Sequence, residues 1–436
     1  MDLLIKNGMV LTMNKKMEII DQGFVLIKDD KITESGDLKD CSGLNVDRVI
    51  DACGGIIMPG LINTHTHASM TLFRGLADDL PLMEWLEDHI FPAEAGLNKD
   101  KVYKGAMLAC AEMILSGTTC FCDMYLFEDQ VAQAAKDAGM RAVVGEVLYD
   151  FPSPNYGMLE KGFEYVENMI EKYMNDPLIT PAVEPHSTYL CAPELLKRAS
   201  DIANKNNIPL IIHVAETLNE QGQIKEKYNK TPVQFLNDLG VLSSNLVACH
   251  SVHLSDDDIK LYKKNNVKVA HCPESNMKLA SGIAPVPEML KNGICVGLGT
   301  DGCASNNDLD LFLEMDKTAK LHKVFSLDPE VINAKTTVKM ATIDGARTLG
   351  LGDITGSIEP GKRADIIIVD TKKPHLVPMY NPYSHLVYSV TGSDVAASII
   401  NGQIVMENNK IFTMDVNKVM DDVRLIAVDI KANDLR

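Results

Sequence analysis

The sequence predicts an α/β fold: a TIM-type (β/α)8 barrel with a small β-sandwich domain formed from both chain termini. Three observations carry this prediction. Eight apolar strand-like runs alternate with amphipathic helical stretches through the middle of the chain. Their span, roughly 250–300 residues, is that of eight βα units closed into a barrel. Both ends of the chain read instead as short strands and turns.

In order, the first segment is LLIKNGMVLTM followed by GFVLIKDDKITESG, short strands within residues 1–57. The eight barrel runs are GLINTHTH (60–67), GTTCFCDMY (117–125), MRAVVGEVL (140–148), ITPAVEPHS (179–187), IPLIIHVAE (208–216), NLVACH (245–250), VKVAHCP (267–273) and ICVGLGTD (294–301). Helical patterns such as KVYKGAMLACAEMILSG and PELLKRASDIANKN separate them. The last segment returns to strands in GSIEPGKRADIIIVD and DVAASIINGQIVMENNK. The expected organisation is therefore a composite β domain from 1–57 and 355–436 beside a barrel over 58–354. No solenoid repeat or low-complexity segment interrupts it.

Composition narrows the function. A chain of 436 residues can bury a large core and carry a second, smaller domain. Hydrophobic content of 46% and charged content of 23% are ordinary for a globular protein. A formal charge of −18 argues against nucleic acid and anionic membranes, which want basic surfaces, and suits a soluble cytoplasmic enzyme. The opening MDLLIKNGMVLTMNKKMEII is interrupted by Asp2 and Lys6 and does not read as a signal peptide. No run approaches the length of a membrane-spanning helix. Ten scattered cysteines without a CxxC pair read as reduced and mostly buried. The CxC at Cys120 and Cys122 is weak evidence of a metal site.

Chemistry in a barrel of this kind sits at the C-terminal ends of its strands. The first run ends in His65 and His67, two apart, and side chains two apart on a strand share a face. An arbitrary HxH is more often a surface or core-edge pair than half of a metal shell, so the other strand ends decide. The fourth run ends in His186. The fifth ends in His213, followed by Glu216. The sixth ends in His250, the seventh carries His271 and the eighth ends in Asp301. Six of the eleven histidines at such positions, with an aspartate, are hard to explain structurally. His89, His253, His322, His375 and His385 lie in helical or loop contexts and read as structural or solvated.

The segments HTHASMTLFRGLADDLPLMEWL, HVAE, ACH, SNMKLASG and GTDGCASNNDLDLF together resemble the amidohydrolase superfamily. Within it they are most similar to the branch that deaminates methylthioadenosine, S-adenosylhomocysteine and related 5′-modified adenosines. The similarity extends to the C-terminal IEPGKRADIIIVD. It implies a metal site of His65, His67, His213 and Asp301, holding one divalent metal per subunit. Three imidazoles and a carboxylate suit Zn²⁺, and Fe²⁺ is compatible with the ligand types. The fourth run has no lysine to bridge a second metal, although Glu184 sits two before His186.

The resemblance also implies roles. Glu216 protonates the ring nitrogen beside the attacked carbon, His250 orients the nucleophile, and Asp301 accepts a proton from water. His186 contacts the purine and Glu94 holds the ribose hydroxyls, with Glu216 and Asp301 also facing the substrate. Trp85 either walls the pocket or staples its helix. Ser305 is expected to line the base site, and Asn306 and Asn307 to cap the following helix.

One departure stands out. Relatives that take S-adenosylhomocysteine carry arginines after the third strand, whereas this chain has Glu146 near that place, with Arg141 and Lys161 as substitutes. Arg141 is expected in the barrel wall or at the strand base. An acid in the pocket would repel the amino-acid carboxylate. The expected function is therefore metal-dependent hydrolytic deamination of methylthioadenosine, 5′-deoxyadenosine or adenosine, with S-adenosylhomocysteine left open. The alternative is an aminohydrolase or chlorohydrolase of another ring, such as guanine, a pterin or a triazine. A non-catalytic scaffold of the same fold would not need the full residue set. The partner is a small-molecule nucleoside, with no nucleic acid and no membrane. The resemblance leaves a homo-oligomer open.

Overall fold

The computed structural model describes residues 2–41, 43, 45–80 and 84–434, so residues 81–83 of the quoted PLMEWL stretch lie outside it. All eight expected runs form parallel strands. Leu61–Thr66, Thr118–Tyr125, Arg141–Leu148, Ile179–Pro181 and Glu184–Pro185 make one sheet. Leu210–Val214, Leu246–His250, Lys268–His271 and Val296–Leu298 make the other. The fourth run is split in two and carries Pro181 and Pro185, which have no N–H for a ladder. Expected helices follow in their places, among them Lys99–Leu115, capped by Asn98, and Pro193–Asn206.

Two seams close the half-barrels. On one side Val183 bridges Leu210 and Ser187 bridges His213, both in parallel. On the other, the backbone N–H of Asp301 donates to the carbonyl of His65 at 3.0 Å. The Asn63 amide joins the same seam, donating to Thr300 Oγ1 at 2.8 Å and accepting from Thr300 N at 3.1 Å. Gly299 is required here, because a Cβ would lie 2.8 Å from the backbone N and O of His65. The interior beneath the mouth is filled by small apolar side chains, including Cys120, Cys122, Ala182, Cys249 and Ala270.

Strands from the two ends of the chain join in a single nine-stranded sheet. Ile366–Val369 is the link: it runs antiparallel to Ile56–Pro59 on one side and to Val395–Ile400 on the other. Leu3, Ile5, Val25, Ile27, Ile366 and Ile399 belong to an apolar cluster of their own. The terminal helix Val416–Asp434 returns to the helix Lys99–Leu115, where Lys101 pairs with Asp429 at 2.8 Å. Among the described residues no helix is long and apolar enough to cross a membrane.

Arg141 stands at the base of the third barrel strand, as expected, and ties it to the terminal sheet. Its Nε lies 2.7 Å and its Nη2 3.2 Å from the two oxygens of Asp365. Both side chains are buried, and Asp365 also accepts from Asn401 N at 2.7 Å. Removing one partner of a buried pair leaves the other charge uncompensated. Asp365→Ala is therefore expected to lower the unfolding free energy by ~3–5 kcal/mol in denaturant titration. Asp365→Ala with Arg141→Met is expected to be less destabilised than Asp365→Ala alone.

Candidate metal centre and active site

The strand ends converge as their alternation predicts. A register shift between Asn63 and Thr66 marks where the first strand bulges. Beyond it, the His65 and His67 rings sit edge to face with centroids 4.9 Å apart. His213 brings its Nε2 to 3.2 Å from that of His65. The eighth strand brings Asp301 Oδ1 to 3.1 Å from His67 Nε2 and 3.7 Å from His65 Nε2. The ring of His250 closes the group, 5.4 Å from His213 and 5.5 Å from His65. Three strand ends bend sharply to do this: Ala215, His250 and Asp301 have φ of 53°, 66° and 61°. Non-glycine residues in that region cluster at functional sites.

His67 and His213 are each oriented by their other nitrogen, whereas His65 Nδ1 is buried without a partner. His67 Nδ1 faces the Met124 carbonyl at 2.5 Å, and His213 Nδ1 faces that of His186 at 2.7 Å. Carbonyls only accept, so these Nδ1 atoms carry protons and each Nε2 is the nitrogen turned toward the cluster. That is the arrangement of a metal-bound histidine. The separations near 3.2 Å match the edge of a tetrahedron with ligands about 2.0 Å from a central ion. The donor chemistry thus fits a divalent metal, with His65, His67 and His213 as one possible trio and His65, His250 and Asp301 as another.

Asp301 is held by polar contacts on every side. Its Oδ2 accepts from Ser275 Oγ at 2.6 Å and Ser305 Oγ at 2.9 Å, and its Oδ1 accepts from Gly302 N at 2.9 Å. Burial opposes its ionisation, but the adjacent His67, His250 and His65 hold it well below the usual carboxylate range. His250 is fixed by Asn276, whose Oδ1 lies 3.0 Å from its Nδ1. Its Nε2 looks toward Glu216 at 4.0 Å. Burial raises Glu216 above the ordinary glutamate value despite the neighbouring His250. Burial also lowers His186 to about 3, with His67 and His250 adding to it, so this ring is neutral at physiological pH.

These groups form one end of a cleft with about 690 Å³ of atom-free space. His186, Glu216, Ser305 and Glu94 line it together. Trp85 walls the cleft, with Leu86 and Phe91 beside it. Burial pushes the Glu94 carboxyl up to about 7, although the Tyr125 hydroxyl and His67 pull it down.

Several sequence expectations are corrected. His271 does not enter the cleft. Its neighbour Ala270 belongs to the barrel interior, so His271 occupies the opposite face and meets His322, Nε2 to Nε2, at 3.2 Å. Glu146 also faces away from the cleft. Its oxygens accept from Glu128 N at 2.9 Å and Asn155 Nδ2 at 2.8 Å, at the start of the helix Glu128–Ala138. It cannot repel a substrate carboxylate. Lys161 pairs with Glu164 at 2.6 Å on the surface. Asn306 and Asn307 cap no helix: Asp310 caps Leu311–Ser326, while Asn306 donates to Thr300 O and Glu314.

Other residues of the site were not singled out in the sequence, among them Ser275 and Asn276, which hold Asp301 and His250. Ser275 and Asn276 stand in the quoted SNMKLASG segment just past the seventh strand, and that position was their available signal. Tyr125, Tyr149 and Tyr189 line the cleft from three different strand ends, a pattern that only the folded chain reveals.

A TIM-type barrel with histidines and an aspartate gathered at the C-terminal ends of its strands defines a class of metal-dependent barrel hydrolases. The chain belongs to the amidohydrolase family, whose family model matches residues 56–405. It is 56% identical over 431 residues to the 5-methylthioadenosine/S-adenosylhomocysteine deaminase of Syntrophobacter fumaroxidans, covering 99% of this chain and 98% of that one. It is 46% identical over 433 residues to the 5′-deoxyadenosine deaminase of Methanosarcina acetivorans, covering 99% of each. Among solved structures it is similar to an adenosine deaminase from Xanthomonas campestris with bound zinc. That match has a TM-score of 0.97 and 36% identity, covering 99% of both chains.

Proposed function

We propose that the protein is a hydrolytic deaminase of adenosine-type nucleosides with uncharged 5′ groups, using one Zn²⁺ per chain. 5′-Methylthioadenosine, 5′-deoxyadenosine and adenosine are the substrates, giving the inosine-type product and ammonia. The observation that carries this reading is that Glu94, a half-buried carboxyl suited to two vicinal hydroxyls, shares one cleft with the His–Asp cluster and Glu216. A free base or a triazine has no ribose for Glu94 to hold. The names of the relatives, two nucleoside deaminases and an adenosine deaminase, support the same class.

His65, His67, His213 and Asp301 would hold the metal, which supplies the Lewis acidity that lets water lose a proton near neutral pH. Asp301, ionised and fixed by two serines, takes that proton. Burial shifts Glu216 toward its protonated form, and in this reading it gives a proton to the ring nitrogen next to the amino-bearing carbon. His250, with its Nδ1 committed to Asn276, presents Nε2 to the attacking oxygen and steadies the tetrahedral adduct. His186 stays neutral and contacts the purine. A carbon–oxygen bond forms, Asp301 passes its proton to the amino group, the carbon–nitrogen bond breaks and ammonia leaves, and the adduct's hydroxyl proton returns to Glu216 as the lactam carbonyl forms.

Preference at the 5′ end has a different basis from the one the sequence suggested. Glu146 is turned away, yet among the described residues no lysine or arginine lines the cleft. A charged amino-acid tail would find no cation there, whereas the apolar part of the lining, with Leu86, Phe91 and Leu279, would suit a methylthio or methyl group.

In an ammonia-release assay on a panel, methylthioadenosine, 5′-deoxyadenosine and adenosine turn over with kcat/KM at least ~10-fold above S-adenosylhomocysteine, the cost of one unpaired ionic contact. Turnover of guanine or a triazine alone would overturn the reading. Chelation abolishes activity and Zn²⁺ restores it. By elemental analysis, His67→Ala and His213→Ala lose the metal, while His271→Ala keeps it. Glu94→Ala lowers kcat/KM for nucleosides on the order of 100-fold, the loss of hydrogen bonds to a charged acceptor. Glu94 must be ionised to accept both hydroxyls, so nucleoside KM rises as pH falls through about 7, and this dependence vanishes in Glu94→Gln.

A further inference from the structure

The fifth barrel strand, Leu210–Val214, does not simply stop before Glu216. Ala215 turns into the left-handed region at φ 53°, which residues bearing a Cβ rarely adopt. The kink brings Glu216 into the cleft. It also takes the Glu216 N–H out of the strand ladder, so something else must hold it.

Glu220 does. Its Oε2 accepts from Glu216 N at 2.9 Å, and its Oε1 accepts from Thr188 Oγ1 at 2.5 Å. Both side chains are 2% exposed, and neither lines the cleft. Glu220 occupies the third position of the helix Leu218–Tyr228, and Thr217 Oγ1 accepts from its N–H at 3.2 Å. A glutamate there would ordinarily close a capping box by returning to the N–H of Thr217. It reaches one residue further instead, to the backbone of Glu216. The contact with Thr188, two residues past His186, anchors it to the end of the fourth strand.

We infer that Glu220, anchored by Thr188, is a positioning residue that clamps the backbone at Glu216 and so aims its carboxyl at the substrate ring. The inference rests on the reading of Glu216 as the proton donor. The clamp acts on direction, not on substrate or metal affinity. Its loss should therefore appear in kcat and be invisible once Glu216 can no longer give a proton.

The test is a double-mutant cycle on the zinc-loaded enzyme with methylthioadenosine and 5′-deoxyadenosine. Glu220→Ala is expected to lower kcat on the order of 100-fold, the effect of misplacing a reacting group by about 1 Å. KM and zinc content should stay within about twofold of wild type. Glu220→Gln, whose amide oxygen still accepts the Glu216 N–H, should recover most of the loss. In a Glu216→Gln background, Glu220→Ala should cost less than about threefold more. A full further loss in that background would show a general structural role and overturn the inference, as would unchanged kcat in Glu220→Ala. If Glu220→Ala does not fold, Thr188→Val enters the same cycle with the same expectation, about 10-fold in kcat alone and none with Glu216→Gln. Wild-type protein that deaminates no nucleoside would sink the functional reading and this inference with it. Active wild type with an indifferent Glu220→Ala would sink the inference alone.

Discussion

The barrel mouth depends on one demand: groups that repel or ignore one another in water must be held together in a dry place. The Nε2 atoms of His65 and His213 lie 3.2 Å apart, and Asp301 Oδ1 is 3.1 Å from His67 Nε2. Lone pairs turned toward each other gain nothing until a cation lies between them. The fold must therefore hold them from outside the cluster. It does so with the carbonyls of Met124 and His186, which take the Nδ1 protons, and with Ser275, Ser305 and Gly302 N, which surround Asp301. A loose version of this shell would let the rings turn, and affinity for a metal would fall with them.

The same demand shapes the backbone. Regular strands would carry Ala215, His250 and Asp301 onward past the mouth, yet all three take left-handed φ values. Each such residue costs of order 1–3 kcal/mol and persists only where its surroundings overdetermine it. Here the surroundings are seams that cross the barrel. Asp301 N reaches the His65 carbonyl over Gly299, where no side chain would fit. His253 N reaches the carbonyl of Ala215, and Glu220 holds the N–H of Glu216. Beneath them, small residues such as Cys122, Cys249 and Ala270 fill the interior without pushing the strand ends apart.

How much of this was legible follows from what each signal encodes. The eight strands and the convergence of His65, His67, His213, His250 and Asp301 could be read because strand alternation and strand ends are local properties. Face was harder. Every residue of Arg141–Leu148 is buried, so burial could not tell the sequence reader which side Glu146 takes. The structure answers through its partners: Phe127 leaves the start of the helix Glu128–Ala138 without a side-chain cap, and Glu146 supplies an acceptor there. His271 failed for a related reason, one residue out of phase with the interior Ala270. Asn306 looked like a cap because it precedes a helix, but the loop runs on to Asp310 so that Asn306 can bond Glu314. The joining of the chain's two ends was visible as composition, whereas its pin, Arg141 with Asp365, links residues far apart in sequence.

Two half-buried glutamates then have to do opposite things within one cleft. In the proposed reaction Glu216 must carry a proton and Glu94 must lack one. Burial raises both, so burial alone cannot separate them. Their neighbours can. Glu94 has the Tyr125 hydroxyl and His67, which both favour its ionised form and bring it down to about 7. Glu216 has His250, His67 and the Ser281 hydroxyl favouring its ionised form, and the ionised Asp301 favouring the proton. The sign follows for each group. Raising pH through the Glu94 value completes the acceptor for the ribose, whereas raising it through that of Glu216 removes the proton the ring needs. Asp301, the residue that the histidines keep ionised, therefore bears on both the metal and the proton of Glu216.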